Sequence, residues 1–196
     1  MKKDYFFDLI VVGGGLVGLA SAYKIQKEFP EKRILIIEKE KDLAFHQSGR
    51  NSGVLHSGLY YKPGSYRAKN CVLGRKELVN YAKKNNIKHD VCGKIVIAVN
   101  KKEADRLPFL LETGLKNGLD NLKIINRKEI LEIEPFAEGV SAIWVPQTGI
   151  IDYKGVAISL AQNILKINSN SKLLKDCEFL DCKGSKIFTT KGDFQA

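Results

Sequence analysis

The sequence predicts an α/β fold, a doubly wound parallel sheet with an inserted α+β unit, and two observations lead to this expectation. Two aliphatic runs, Leu9–Val12 and Ile34–Ile37, lack polar alternation, which is typical of strands buried on both faces of a parallel sheet. The segment between them starts with the glycine-rich run Gly13–Gly18 and continues with apolar residues at helical spacing until Phe29-Pro30. Strand, helix and strand in this order form a βαβ unit.

Composition restricts the class of protein. The chain has 196 residues, 44% of them hydrophobic and 28% charged, which fits one well-buried domain, or a domain and part of a second, and excludes a disordered or fibrous chain. Its net charge of +10 suits an anionic ligand, a nucleic acid or an acidic membrane surface. The basic residues are mostly scattered lysines without interleaved aromatic residues, so we expect no nucleic-acid partner.

Cysteine spacing and hydropathy give expectations about metal and location. The chain contains no Cys-x-x-Cys pair and no metal-ligand spacing, so no metal site is predicted. Its four cysteines indicate reduced thiols in a cytoplasmic protein: Cys71, Cys92, Cys177 and Cys182. The apolar stretch Leu9–Tyr23 is interrupted by Gly13-Gly14-Gly15 and is shorter than the roughly 20 residues that span a bilayer, so it predicts neither a signal peptide nor a transmembrane helix.

The glycines of the first turn have separate physical roles in a Rossmann-like unit. Gly13 permits a tight turn from strand to helix, Gly15 lets the backbone approach a pyrophosphate, and Gly18 lets the helix pack closely on the strand. The helix N-terminus then offers unpaired N–H groups and a partial positive charge to the phosphates. The pattern therefore indicates a dinucleotide site.

Glu38 completes this pattern at the end of the second predicted strand, 20 residues beyond Gly18. A carboxylate there can accept hydrogen bonds from both ribose hydroxyls and would repel a 2′-phosphate, which disfavours NADP. The unit alone does not separate FAD from NAD, and the alternative is a βαβ unit that binds no nucleotide.

A long polar segment follows, from His46 to Gly64, where a nicotinamide-binding unit would normally continue with a short crossover. Ser48, Asn51 and Ser52 offer hydroxyl and amide groups, and glycines such as Gly53 permit close backbone approach. Such a loop can follow an extended cofactor past its phosphates. The alternative is a solvated surface loop.

The remaining chain predicts further elements and an inserted unit over about 88–148. Ser65 is expected to cap a helix that ends near Asn85-Asn86, and helix Glu103–Lys116 is expected to kink at Pro108 and to end before Gly118. Further predicted elements are strand Val91–Val99, a helix starting at Asn126, strand Val140–Val145, helix Asp152–Ile167, and strands Lys172–Phe179 and Lys186–Thr190.

Several motifs resemble those of a known family. Gly13–Glu38 followed by the polar loop is similar to the D-amino-acid oxidase-like superfamily of FAD-dependent oxidoreductases. Within it, His46–Tyr61 resembles the L-2-hydroxyglutarate dehydrogenases and oxidases. Further matching segments are Lys62-Pro63-Gly64-Ser65, Cys92-Gly93-Lys94, Glu134-Pro135 and Pro146–Tyr153. The resemblance covers nearly the whole chain and implies FAD as the cofactor.

The resemblance also implies a domain division and an incomplete fold. Residues 1–87 would be the first part of a Rossmann-like FAD-binding domain, 88–148 a portion of the substrate domain, and 149–196 the continuation of the FAD-binding domain. The later half of the family's fold would be missing. We therefore expect a truncated or split gene product that alone binds FAD weakly or not at all, with a separate chain as the source of the missing half.

The implied reaction oxidises L-2-hydroxyglutarate to 2-oxoglutarate by hydride transfer from C2 to flavin N5, while a base removes the hydroxyl proton. His56 is the candidate base, because an imidazole is mostly neutral at pH 7; the alternatives are a structural hydrogen bond or a polar contact near the flavin. The candidate cofactor-binding residues are Gly13, Gly15, Leu16, Val17, Gly18, Glu38, Lys39, Ser48, Asn51, Ser52 and Gly53. The candidate substrate residues are Arg50, Tyr60, Tyr61 and Lys62, and each could equally be an ordinary surface or packing residue.

The sequence leaves further hypotheses open about the substrate, the activity and the electron acceptor. Arg50 departs from the His that the resemblance implies at its position, so its contact could differ here. Rival activities within the superfamily are oxidation of glycerol 3-phosphate or of a secondary amine, and a rival of another class is a non-catalytic nucleotide-binding fragment. The electron acceptor would be a quinone or oxygen. The positive charge is compatible with peripheral contact at the inner face of a membrane.

Overall fold

The computed structural model describes residues 5–196. In chain order the elements are β1 (Leu9–Val12), α1 (Leu16–Glu28), β2 (Ile34–Ile37), β3 (Val54–Leu55), α2 (Tyr66–Lys84), β4 (His89–Asp90), β5 (Lys94–Ala98), α3 (Lys101–Ala104), α4 (Leu107–Lys116), β6 (Lys123–Asn126), α5 (Arg127–Ile133), β7 (Ser141–Val145), β8 (Gly149–Ile151), α6 (Tyr153–Ile167), β9 (Lys172–Leu174), β10 (Phe179–Lys183), β11 (Lys186–Thr189) and β12 (Gly192–Gln195). The described residues fall into two units, one up to Ser52 together with Asp152–Ala196, and one of Gly53–Ile151.

The first unit is built on a parallel sheet in the order β1-β2-β9. Leu9 pairs with Ile34 and Val12 with Ile37, so the residues that follow β1 and β2 meet at one edge of the sheet. All four residues of β2 are buried, and α1 packs against α6. The mixed α/β class and the parallel sheet predicted from the two aliphatic runs are thereby confirmed.

Asp8 joins the start of β1 to the residues before β2. Its Oδ2 accepts a hydrogen bond from the Arg33 N–H at 2.8 Å, and its Oδ1 lies 3.1 Å from Lys32 Nζ. The backbone hydrogen bond from Arg33, and secondly the contact with Lys32, hold the pKa of the Asp8 carboxyl below its ordinary value.

The end of the chain forms a second, antiparallel sheet in this unit, in the order β10-β11-β12. The single strand predicted over Lys172–Phe179 is wrong beyond Leu174. The chain turns at Asp176, whose φ of 52° lies in the left-handed region that Asp tolerates better than most residues, and β10 begins only at Phe179.

The second unit contains two antiparallel sheets, β3-β8-β4 and β5-β7-β6. The core of the unit lies between β5, β7 and α4, and its buried members are Leu59, Ala98, Leu107, Leu119, Ile143 and Val145. The helix start expected at Asn126 is present as a reciprocal cap, in which Asn126 and Glu129 each bond the other's backbone N–H.

Two expectations about this unit need correction. Pro108 does not kink one long helix. Instead α3 ends at Ala104, and α4 begins with Pro108 in its first turn, where the N–H that proline lacks would have made no helical hydrogen bond. The strand expected from Val91 begins only at Lys94, since Gly93 has a φ of +79° and interrupts the extended backbone. Gly118, also at +79°, follows α4 as expected.

The division by contacts differs from the predicted domain limits. The limits after residues 87 and 148 both lie within Gly53–Ile151, whereas the contacts divide the chain after residues 52 and 151. Within residues 5–196, none of the helices is both long enough and apolar enough to cross a bilayer.

Candidate functional site

The turn between β1 and α1 depends on its glycines for two different reasons. Gly13 has a φ of +105°, a conformation that L side chains rarely adopt, and its N–H donates to the Ile37 carbonyl at 2.7 Å. At Gly18 a Cβ would lie 2.4 Å from the Gly13 carbonyl oxygen, so a side chain there would push α1 away from the turn. These glycines let α1 begin directly beside the end of β1.

Glu38 ties the end of β2 to this turn. Its Oε2 accepts a hydrogen bond from the Gly14 N–H at 2.7 Å, and its Oε1 accepts one from the Glu40 N–H at 2.9 Å. The side chain is only 7% exposed. The carboxylate is therefore fixed beside the glycines, and each oxygen keeps lone-pair capacity for a further donor.

The loop after β2 folds back over the same turn. The Ala44 N–H donates to the Gly14 carbonyl at 3.0 Å, and the Ser48 hydroxyl accepts the Leu16 N–H at 3.0 Å. Ser48 therefore caps the start of α1 from a position 32 residues further along the chain. This role was not predicted, because an N-cap is normally the residue directly before the helix.

The residues of this turn fit a dinucleotide. The N-cap residue Gly15 has no side chain, and the first turn of α1 contains no acidic residue, so no carboxylate on α1 opposes the positive end of the helix dipole. A Cβ at Gly15 would lie 3.1 Å from Ser48 Oγ and would narrow the space beside the helix N-terminus. Val17, in the same turn, is 82% exposed. An anion has access there, with Glu38 beside it for a sugar hydroxyl.

The structure brings most of the predicted cofactor residues of this unit together. Gly13, Gly15, Leu16 and Gly18 form the turn and the start of α1, and Ser48 joins them through Leu16. Lys39 and Ser52 are exposed. The Asn51 amide donates to the carbonyls of Gln47 and Ser48, so this side chain shapes its own loop.

Arg50 has a local partner that the sequence analysis did not foresee. Its guanidinium carbon lies 4.4 Å from the centroid of the Phe45 ring, a cation–π contact within the same loop. Arg50 is exposed, and nearby the His46 ring lies 2.8 Å from Glu40 Oε1.

The other candidates lie in the second unit. Gly53 has a φ of +70°, and its carbonyl accepts the Ile151 N–H at 2.9 Å. His56 follows β3 and is exposed, and its carbonyl accepts a weak bond from the Cys71 thiol at 3.5 Å. Burial raises the pKa of that thiol.

The Tyr60-Tyr61 segment is held by a residue that no sequence pattern indicated. The Asn117 amide donates to the Gly58 carbonyl at 3.0 Å and to the Tyr61 carbonyl at 2.7 Å. Tyr60 is 58% exposed, and its ring lies 4.8 Å from Lys94 Nζ. Lys62 is exposed. Among residues 5–196 no group of three or more His, Cys, Asp or Glu side chains is placed to hold a metal ion.

Comparison with known proteins was made by sequence and by fold. Residues 8–193 match the model of the family described as FAD dependent oxidoreductase, or DAO. The chain is 49% identical over 190 residues to an L-2-hydroxyglutarate dehydrogenase of Indibacter alkaliphilus, covering 96% of this chain and 48% of that protein. It is 49% identical over 157 residues to the mitochondrial L-2-hydroxyglutarate dehydrogenase of Homo sapiens, covering 80% and 34%.

The fold is similar to that of solved flavoproteins. The structure of an L-alpha-glycerophosphate oxidase of Mycoplasma pneumoniae with FAD bound superposes with a TM-score of 0.85 at 23% identity, covering 97% of this chain and 51% of that one. The chain thus spans about half the length, or less, of the relatives it matches.

Proposed function

Because the chain belongs to the FAD-dependent oxidoreductase family whose model matches residues 8–193, we propose that it forms the dinucleotide-binding part of an enzyme that oxidises L-2-hydroxyglutarate to 2-oxoglutarate. The family is FAD-dependent, so the family, the fold class and the cofactor predicted from the sequence are confirmed. The single observation that carries the proposal is the glycine turn hydrogen-bonded to the buried Glu38 carboxylate. The substrate is the one named for the relatives in the sequence comparison.

The residues that hold the cofactor follow from the geometry of the turn. The backbone of Gly15 and Val17, at the positive end of α1, binds the pyrophosphate, while the Leu16 N–H stays bonded to the Ser48 hydroxyl. Glu38 accepts hydrogen bonds from the ribose hydroxyls while it keeps its bonds to the turn. The Ser48 hydroxyl, which accepts from Leu16, still has its own hydrogen to donate to a phosphate oxygen.

The chemistry needs a hydride acceptor and a base. FAD, when bound, would supply the hydride acceptor for the hydrogen on C2 of the hydroxy acid. His56 accepts the proton of the C2 hydroxyl at an unprotonated ring nitrogen, since its side chain is exposed and no hydrogen bond within residues 5–196 occupies the imidazole. The carbonyl group forms when C2 has lost its hydride and the oxygen on C2 has lost its proton.

Flavin binding by the 196-residue chain tests the proposal directly. Because the chain spans about half the length of its relatives, we expect the wild-type chain to bind FAD weakly in equilibrium dialysis. Glu38→Gln should weaken this binding about tenfold or more, because bonds to a charged acceptor contribute about 1.5–3 kcal/mol. Glu31→Gln, a substitution of an exposed glutamate before β2, is the matched control and should leave binding unchanged. Equal affinity for NAD and FAD, or no effect of Glu38→Gln, would contradict the cofactor site.

Substrate oxidation is tested by anaerobic bleaching of the flavin in the FAD-loaded protein. L-2-hydroxyglutarate should bleach the absorbance band, and its D-enantiomer should not. Bleaching by sn-glycerol 3-phosphate or by a secondary amine alone would transfer the assignment to one of those superfamily activities. FAD binding without any bleaching would favour a non-catalytic nucleotide-binding module.

Partners and location are part of the same proposal. Electrons pass to a quinone or to oxygen, which oxygen uptake and reduction of a quinone analogue would distinguish. We place the protein in the cytoplasm, with peripheral contact at the inner face of the membrane favoured by its net charge of +10. Absence of co-sedimentation with anionic vesicles at low salt would contradict that contact.

A further inference from the structure

Lys94 occupies an unusual place in the second unit. It begins β5, opposite Val145, and by strand alternation it shares a sheet face with Val96 and Ala98. That face packs against Leu59 and forms the core of the unit, so Lys94 stands at the end of an apolar surface and is itself half-buried. A lysine in such a position buries its aliphatic stem and directs a charge to the rim of the core.

The Lys94 ammonium has no counter-charge in the described chain. Within residues 5–196 the ammonium contacts Tyr60, whose ring centroid lies 4.8 Å from Nζ. Burial lowers the pKa of Lys94, and no acidic group offsets this effect. A half-buried cation beside an aromatic ring and without a carboxylate partner is stabilised when an anion binds to it.

The Tyr60 side of this position is held rigidly. Asn117 bonds the carbonyls of Gly58 and Tyr61, which flank Tyr60 in the sequence. Gly58 has a φ of +96°, and a Cβ there would contact Cys71 and Val72 of α2 at 3.4–3.5 Å. The loop is therefore pre-organised, and binding of a ligand beside it would require little further ordering.

His56 follows β3 at one end of the β3-β8-β4 sheet, and the chain passes that same end before it enters β5 of the other antiparallel sheet at Lys94. Both β3 and β4 pair antiparallel with β8 and run toward its start, where Leu55 lies opposite Gly149 and Asp90 opposite Ile150. His56 directly follows β3, and the Gly93 N–H bonds the Thr148 carbonyl at 2.8 Å just before Lys94. Near this end of the β3-β8-β4 sheet, the hydroxyl oxygens of Thr148 and Ser57 are buried and make no hydrogen bond within residues 5–196.

We propose that Lys94, over the Tyr60 ring, forms the carboxylate-binding subsite for the dicarboxylic 2-hydroxy acid, in the same unit of the chain as His56. This inference rests on the proposed function for the identity of the substrate. The subsite holds one carboxylate of a five-carbon dicarboxylate by a charge-assisted hydrogen bond from Nζ, and the Tyr60 ring limits the position of the ammonium. Lys94 is thus a specificity residue supplied by β5.

The test uses glutarate as a non-oxidisable probe and two readouts on the 196-residue chain. The first readout is the heat of glutarate binding in isothermal titration calorimetry, because the single tryptophan, Trp144, packs with Ile95 on the sheet face opposite Lys94 and does not report on the subsite directly. Lys94 should also be protected by glutarate from acetylation by acetic anhydride, as measured by mass spectrometry, whereas the exposed Lys88 should not be.

The variants separate charge from structure. Lys94→Met should raise the dissociation constant for glutarate at least about tenfold, Lys94→Arg should restore most of the affinity, and Lys88→Met, at an exposed lysine before β4, should have no effect. If Lys94→Met fails to fold, protection of the wild-type Lys94 still decides the question. Unprotected Lys94, equal binding by Lys94→Met, or tighter binding of sn-glycerol 3-phosphate than of glutarate would overturn the proposal.

Failure of this inference and failure of the proposed function give different results. Glutarate binding that depends on Lys94, without retention of FAD, would leave the carboxylate subsite intact and refute the cofactor site. Flavin bleaching by L-2-hydroxyglutarate with an unchanged KM in Lys94→Met would leave the oxidoreductase intact and refute the subsite.

Discussion

Replacement of Gly18 by alanine tests the contact on which the cofactor turn depends. The new Cβ would lie 2.4 Å from the Gly13 carbonyl oxygen, 1.0 Å short of the 3.4 Å at which ordinary contact begins. That oxygen belongs to backbone whose N–H is bonded to Ile37, so α1 must move instead. Overpacking of this kind costs about 1–3 kcal/mol, partly offset by the better helix propensity of alanine, up to about 1 kcal/mol. We expect a net loss of about 1–2 kcal/mol.

A second helical glycine provides the matched control. Gly74 lies in α2, is exposed, and a Cβ there would meet nothing within 4 Å. Gly74→Ala should therefore stabilise the chain by about 0.5–1 kcal/mol. Urea unfolding followed by far-ultraviolet circular dichroism measures both variants, and FAD affinity should fall only in Gly18→Ala. If Gly18→Ala were as stable as Gly74→Ala, the close approach of α1 to the turn would be refuted.

Two further predictions concern the same unit. Ser48→Ala removes the acceptor of the Leu16 N–H and should lower the free energy of unfolding by about 0.5–2 kcal/mol, the usual effect of a lost helix cap, whereas Ser52→Ala, at an exposed serine, should change it little; equal effects would argue against capping from the distant loop. The pKa of Asp8 is lowered in the folded chain, so its contribution to stability is complete above the ordinary value of 3.8 and is lost as the pH falls below it. Wild-type stability should therefore decline more steeply than that of Asp8→Asn in acid titrations below about pH 4, and parallel curves would contradict the depressed pKa.

Sequence patterns predicted those elements that are determined by residues close to one another along the chain. The runs Leu9–Val12 and Ile34–Ile37 predicted β1 and β2 to the residue. Only β2 is fully buried as such a run implies, because β1 is half-buried and its Val12 is exposed. The cap at Ser65 and the helix start at Asn126 were also predicted, since each side chain bonds an N–H three residues further along the chain.

Contacts between residues that lie far apart in the sequence could not be predicted from such patterns. Ser48 caps α1 from another loop, and Asn117 holds the Gly58–Tyr61 loop from the end of α4, so neither spacing suggests a partner. Short strands such as β3, β8 and β12 have too few residues to show a period, and their pairing depends on the tertiary fold. In the sequence, Lys94 stood out only as part of a motif shared with the family. The lack of an acidic residue near its ammonium depends on the tertiary fold.

The two hydrogen bonds of Glu38 have a consequence for redesign of cofactor preference. An engineer who wished to admit a nucleotide with a phosphorylated ribose would replace this acid with a neutral or basic residue. Here that exchange also releases the Gly14 and Glu40 amides from the only side chain that holds them in the described structure. Nucleotide selectivity and the integrity of the phosphate loop are thus coupled through one side chain, and a successful switch would have to supply new acceptors for both amides at once.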